Sequence, residues 1–306
     1  MDYILETNNL SKVYGTRTVL NQVNIHVPKK SIYGLVGKNG AGKTTLMRII
    51  SGLAQQSEGN YTFLGKSNND IMRNKMGILI EKPGVFNHMT AIENLKYFSS
   101  LFGITSCDFQ SILEMVGLQN LEKKKVKQFS LGMKQRLGIA ISLLGNPELL
   151  ILDEPINGLD PEGVFEIRKM LETLNKQYGT TIIIASHIIS ELYKLATDYA
   201  IIDNGHLIDE FSKDTLEKAC SRGIHVTVEE GYLQSAIKLI TSYYPNLQYD
   251  IISNKTFRVY DMIDPANLNQ YLVENKICVC GLGMNEEDIE KFFIDKISGG
   301  QKIWKI

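Results

Sequence analysis

Cysteine is scarce. The 306 residues hold four, Cys107, Cys220, Cys278 and Cys280, too few and too scattered for a disulfide framework in a chain this long, so a reduced compartment is expected. Neither sign of charge dominates: 33 Lys and Arg stand against 34 Asp and Glu, a formal net charge of -1. A general nucleic-acid binder needs a basic excess to neutralise phosphates, and that class is set aside. Long hydrophobic runs are missing too. A membrane-spanning helix needs about 18 unbroken apolar residues, and the richest stretch, Ile139–Leu152, is interrupted by Asn146, Pro147 and Glu148. The opening MDYILETNNL has no basic segment followed by an apolar core, so it does not read as a secretory signal. What remains is ordinary globular composition, 43% hydrophobic and 22% charged, at a length that suggests two domains. A soluble, cytoplasmic protein is expected, and any dealing with a membrane must go through a partner.

The first two-thirds of the chain alternate short aliphatic runs with longer helical patterns, the rhythm of βαβ units. Strands are expected at Ile4–Asn8, Ser31–Val36, Gly59–Phe63, Met76–Ile80, Leu149–Leu152, Thr181–Ala185 and Tyr199–Ile202. Several are continuous apolar runs, as in strands buried on both faces. The stretches ILETNNLSKVYG and TVLNQVNIHV alternate instead and suggest an antiparallel patch at the edge of the glycine-rich site at Gly37–Thr44. Ala91–Gly103 and Phe109–Gly117 have helical apolar spacing. After Ile208 the character changes. A linking helix over Asp214–Ser221 precedes strand Gly223–Glu229, helix Tyr232–Tyr243, a hairpin of Gln248–Ile252 and Thr256–Tyr260, helix Asn267–Asn275, strand Ile277–Leu282 and helix Glu286–Ile297. That βαββαβ order matches the split βαβ, or ferredoxin-like, arrangement. Cys278 and Cys280 are expected as buried thiols on one strand face.

Chemistry is concentrated in two places. Gly37-Lys38-Asn39-Gly40-Ala41-Gly42-Lys43-Thr44 fits G-x-x-x-x-G-K-[ST], after the apolar strand SIYGLV and before the helical TTLMRIISGL. Glycines let successive backbone N–H groups converge on phosphate oxygens, and the helix N-terminus adds partial positive charge. Lys43 reaches the β- and γ-phosphates, and the Thr44 hydroxyl can ligate Mg²⁺. A carboxylate must complete such a site from a neighbouring strand end, and LLILDEP supplies Asp153 for the metal and Glu154 to orient or deprotonate the attacking water.

Further residues carry a family resemblance. Phe129-Ser130-Leu131-Gly132-Met133-Lys134-Gln135-Arg136 resembles the signature motif of ABC-transporter ATPases, although the usual pattern has two adjacent glycines. Asn157-Gly158-Leu159-Asp160 looks like that family's D-loop, His187 after IIIAS like its switch histidine, and Tyr14 in LSKVYG like the aromatic platform for adenine. The resemblance covers roughly residues 1–215. It implies an α/β, P-loop ABC ATPase domain with a mixed sheet and a helical subdomain at about 85–145, followed by a small α+β accessory domain over 216–306. Where the family usually has glutamine after the strand MGILI, this chain has Glu81. That variant and its EKPGVF context resemble the ABC ATPases that confer resistance to bacitracin-type peptides and lantibiotics.

The resemblance implies a cofactor pair of ATP and Mg²⁺. It places Tyr14, Gly37, Asn39, Gly40, Ala41, Gly42, Lys43, Thr44 and Thr45 on the nucleotide of one chain, and Ser130, Gly132 and Asp160 on that of a second copy. Thr44, Asp153 and Glu81 are its metal candidates, and Glu154, His187 and Lys43 its catalytic ones. It also implies an ATP-dependent homodimer and an integral membrane permease, which would hold the protein peripherally at the cytoplasmic side of the membrane. The permease would meet the surface around Glu81–His88 and the helical subdomain, where Tyr97, Phe98 and Phe102 either line a groove or pack in the core. The leading expectation is the ATPase subunit of a peptide-antibiotic exporter. The alternatives are an exporter ATPase for small lipophilic drugs or ions, and a soluble ABC ATPase without a membrane partner.

Overall fold

The computed structural model describes residues 2–67, 74–121, 123–220, 223–260, 263–283 and 286–297, which fall into two units divided after Phe211. In the first unit, β1 (Tyr3–Tyr14) pairs antiparallel with β2 (Arg17–Val23) and with β3 (His26–Pro28). The buried strand β4 (Ile32–Val36) then leads through the glycine-rich loop into α1 (Lys43–Ile50). β5 (Glu58–Phe63) returns to β1, also antiparallel, and carries the short β6 (Lys66–Ser67) on its other side. β1 runs six residues past the expected Asn8. It can do so because its pairing slips between Asn8 and Ser11 and again around Leu10–Val13, and such bulges let one strand bend through two pairings.

A second sheet holds the site. β7 (Met76–Leu79), β8 (Leu149–Asp153), β9 (Thr181–Ser186), β10 (Asp198–Asp203) and β11 (His206–Ser212) join β4 in the order β11-β10-β4-β9-β8-β7. The strands from β10 to β7 are all parallel. β4, β8 and β9 are buried at every position. That is why LLILD and TIIIAS read as unbroken apolar runs rather than alternating ones.

Between β7 and β8 lie α2 (Ala91–Leu101), α3 (Phe109–Met115) and α4 (Leu131–Ser142), packed on one another. Thr90 and Glu93 close a reciprocal cap at the start of α2. Asn94, fully buried, accepts from the Phe86 amide (2.8 Å) and donates to the carbonyls of Phe86 (3.2 Å) and Thr90 (2.9 Å), fastening the loop before α2 to the helix. α5 (Pro161–Tyr178) and α6 (Ile189–Leu195) follow β8 and β9.

In the second unit, α7 (Lys213–Cys220) covers most of the expected linking helix, whose last residue, Ser221, lies outside the described residues. β12 (Ile224–Val228), α8 (Leu233–Tyr243), β13 (Tyr249–Ile251), β14 (Thr256–Val259), α9 (Pro265–Glu274), β15 (Val279–Gly283) and α10 (Glu286–Ile297) complete it. Its sheet is antiparallel in the order β13-β14-β12-β15, so each βαβ pair is split by one other strand. The core is built from Val226, Phe257, Val259, Leu268 and Leu272. The expected burial of Cys278 and Cys280 fails, because both thiols are exposed. Cys278 precedes β15. Cys280 falls where the pairing jumps from Val228↔Val279 to Thr227↔Gly281, a bulge that leaves it without a partner across the sheet.

Asn94→Ala should remove three hydrogen bonds at a buried position and lower stability by about 1–3 kcal/mol. Urea unfolding measures this, and a change within about 0.5 kcal/mol would show that the loop holds without it.

Candidate functional site

Three neighbouring strand ends, those of β4, β9 and β8, build the site. β4 ends in a loop whose glycines have steric reasons to be glycine. A Cβ on Gly37 would meet the Ile202 carbonyl at 2.2 Å, and Gly42, at φ 115°, has Leu20 within 2.7 Å of where a Cβ would sit. α1 begins at Gly42 with no side-chain cap, whereas α2, α4 and α5 are capped by Thr90, Ser130 and Asp160. Its leading N–H groups therefore have no partner from the helix or from a cap and are available to an anion. Lys38–Thr45, with Asn39, Gly40 and Ala41 among them, line a cavity of about 270 Å³, which Arg17 and Val19 of β2 and Glu154 complete.

The Lys43 side chain folds back on the loop and donates to the carbonyls of Gly37 and Lys38. Burial of its ammonium pushes its pKa below the ordinary 10.5, against the opposing pull of Glu154 and then Asp153. A polyanion in the cavity would supply the negative charge that burial leaves wanting.

Asp153, at the end of β8, is buried. Its Oδ2 accepts from the Thr44 hydroxyl at 2.7 Å, and its Oδ1 is buried with no hydrogen-bond partner. A buried polar oxygen left unpaired costs about 1–3 kcal/mol. A divalent cation beside Thr44 and Asp153 would satisfy it, and a hydroxyl with a carboxylate is the hard-oxygen pair such a cation takes. Glu154 follows in the left-handed region, φ 48°. Its Oε2 lies 2.8 Å from His187 Nδ1. An ionised carboxylate can only accept, so His187 donates from Nδ1 and keeps Nε2 for another partner.

Not every expected residue gathers here. Tyr14 is half exposed and outside the cavity lining, with the Lys12 ammonium 4.7 Å from its ring centre. Glu81 does not join Thr44 and Asp153. Its carboxylate pairs with Arg48 of α1, because that guanidinium offers a full positive charge one helical turn beyond Thr44. Ser130 caps α4, Asp160 caps α5, and both are exposed. They lie beside each other, since Leu131 approaches Gly158 and Leu159 approaches Gly132, but none of the four lines this chain's own cavity. Arg17 and Val19 were not expected. The antiparallel patch was expected at the edge of the site, and the pairing of β2 with β1, together with the contact of Val19 and Leu20 with Gly42, brings these two residues to the cavity.

At the other surface, Phe86, Tyr97, Phe98 and Phe102 form a chain of ring contacts at 4.7, 5.5 and 5.9 Å. Tyr97 and Phe102 are exposed, and α2 buries Ala91, Asn94, Leu95 and Ser99 instead.

The profile that describes the family "ABC transporter" matches residues 20–157. The chain is 40% identical to the bacitracin transport ATP-binding protein BcrA of Enterococcus faecalis over 305 residues, 98% of each chain. It is 46% identical to the lantibiotic transport ATP-binding protein SrtF of Streptococcus pyogenes over 214 residues, 70% of this chain and 93% of that one. Among solved structures, the ADP conformation of MJ1267, an ATP-binding cassette of an ABC transporter, superposes with a TM-score of 0.65 at 26% identity, covering 72% of this chain and 96% of that one. The dimeric post-hydrolysis state of the cassette MJ0796 bound to ADP and Pi shares the fold, with a TM-score of 0.62 at 23% identity over 68% and 98%.

Because the folded-state pKa of Lys43 lies below its unfolded value, its burial destabilises the nucleotide-free chain fully below the folded pKa, and the penalty fades as pH rises toward 10.5. Lys43→Met should therefore be more stable than the parent at neutral pH, by a margin that shrinks with rising pH. Urea unfolding at a series of pH values reads that margin, and a margin that grows with pH contradicts the assignment.

Proposed function

The chain belongs to the ABC-transporter family of ATP-binding proteins, and from that premise we propose that it drives an exporter protecting its cell against bacitracin- or lantibiotic-type peptides. Hydrolysis of ATP is the family's activity, and the observation that carries the finer reading is the extent of the match. Similarity to BcrA proteins from two organisms runs through 98% of this chain, so it takes in the second unit as well as the first. The ATP-binding part is residues 1–215, and 216–306 form the accessory domain.

In this reading the loop Gly37–Thr45 wraps the phosphates with backbone N–H groups, and Lys43 turns from its own carbonyls to the β- and γ-oxygens. Gly40, Gly42 and Thr45 shape that cradle, and Tyr14, Arg17 and Val19 receive the base and ribose side. Thr44 and Asp153 hold Mg²⁺, which when bound neutralises charge developing on the phosphates. Glu154 accepts the proton of the attacking water, and His187, bonded to it, fixes the carboxylate and presents Nε2 toward the γ-phosphate. Catalysis of this kind rests on positioning and electrostatics. Ser130, Gly132 and Asp160 stand at the surface of one chain and complete the site of a second, so ATP joins two copies. The aromatic patch of Phe86, Tyr97, Phe98 and Phe102 receives the integral membrane permease, which keeps the protein at the cytoplasmic side of the membrane. Among the described residues no helix is long and apolar enough to cross a membrane.

Glu154→Gln should bind ATP as the parent does and lose turnover by about 100-fold or more, while ATP drives it into dimers that sedimentation resolves. Parental turnover in that variant would remove Glu154 from its role. Expressed with its permease in a sensitive host, the parent chain should raise tolerance to bacitracin and Lys43→Ala should not. Unchanged tolerance with the parent would discard the peptide-antibiotic reading while leaving the ATPase intact.

A further inference from the structure

Three carboxylates leave neighbouring strand ends on the edge of the sheet where the phosphate loop sits. β7 and β8 run parallel with Leu79 beside Leu152, so two residues on, Glu81 is level with Glu154 and close in register to Asp153. Yet among the described residues no three acidic, histidine or cysteine side chains are gathered to hold a metal. Glu81 is missing from the group because Arg48 holds it. Arg48 follows Thr44 by four positions on α1, which puts the two on one face, about one turn of 5.4 Å apart. The side chain that draws Glu81 away is thus carried by the same helix face as the hydroxyl bonded to Asp153.

The hold is weak by construction. Arg48 and Glu81 are 42% and 63% exposed, and an ion pair so open to water contributes little. Glu81 also sits at φ 66°, a backbone conformation unfavourable to a residue with a Cβ. A divalent cation, by contrast, is a compact double charge that takes carboxylate oxygens directly.

We propose that Arg48 is a positioning residue that competes with the divalent cation for the Glu81 carboxylate, so that Glu81 rests on Arg48 until a cation beside Thr44 and Asp153 withdraws it. The inference rests on the reading of Thr44 and Asp153 as cation ligands. Arg48 then sets how tightly the cation is held without touching it, and Glu81 is the shared counter-charge.

The test is a cycle on the full chain with ADP, in which Mn²⁺ binding is read from the loss of the free-ion EPR signal. Arg48→Gln should tighten Mn²⁺ binding by about two- to five-fold when Glu81 is present, and markedly less when the chain also carries Glu81→Gln. Arg48→Lys, which keeps the charge, should stay near the parental affinity. Equal tightening in both backgrounds would mean that only the charge of Arg48 matters and not its hold on Glu81, and the proposal would fall. An unchanged affinity in Arg48→Gln overturns it as well. If Thr44→Ala and Asp153→Asn leave Mn²⁺ binding untouched, the cation reading itself fails and takes the inference with it, a signature distinct from either result of the cycle.

Discussion

The 2.7 Å bond between the Thr44 hydroxyl and Asp153 joins the start of α1 to the end of β8, although β9 lies between β4 and β8 in the sheet. It leaves one Asp153 oxygen buried and unpaired. A buried polar atom without a partner is a standing cost, and here it lies at the foot of an uncapped helix, beside a lysine folded onto its own loop. Each of these groups would be better satisfied with a charged ligand in place than without one. That shared deficit is what the first unit is organised around: three wholly buried strands bring the groups together and keep them there.

The same logic separates groups that converge on the cavity from groups that stay at the surface. Glu154, His187, Lys43 and the loop converge within one chain. Ser130 and Asp160 cap their helices at the surface, a structural duty that also leaves the N-termini of α4 and α5 exposed. Arg136, in the helix that Ser130 starts, bonds the Gly117 carbonyl and pairs with Glu166, so it ties α4 to the end of α3 and to α5. The exposed helix start is therefore held by a well-anchored body.

Glu81 shows how a single exchange of residue type changes the local electrostatics. A glutamine there would have no claim on Arg48 as an ion. A glutamate gains one, and its charge is met by a guanidinium on the helix that already carries Thr44.

The pattern of the chain alone determined the ATPase core. The loop motif sits between an apolar strand and a helix, the acidic pair closes a run of four apolar residues, and short continuous hydrophobic runs bounded by turns fit strands buried on both faces. These are local signals, because sterics and burial act on neighbouring residues. The order of elements after Gly223 was legible for the same reason. Only the tertiary structure decided what depends on residues distant in sequence. Arg17 and Val19 reach the cavity because β2 folds back over the loop. Glu81 pairs with a helix 33 residues earlier, and Cys280 is exposed by a bulge that its own strand does not encode. Tyr97 and Phe102 stay outside because α2 packs through Asn94 and Leu95. In each case the outcome turned on which surface another segment left open, and that is settled by packing and not by residue type.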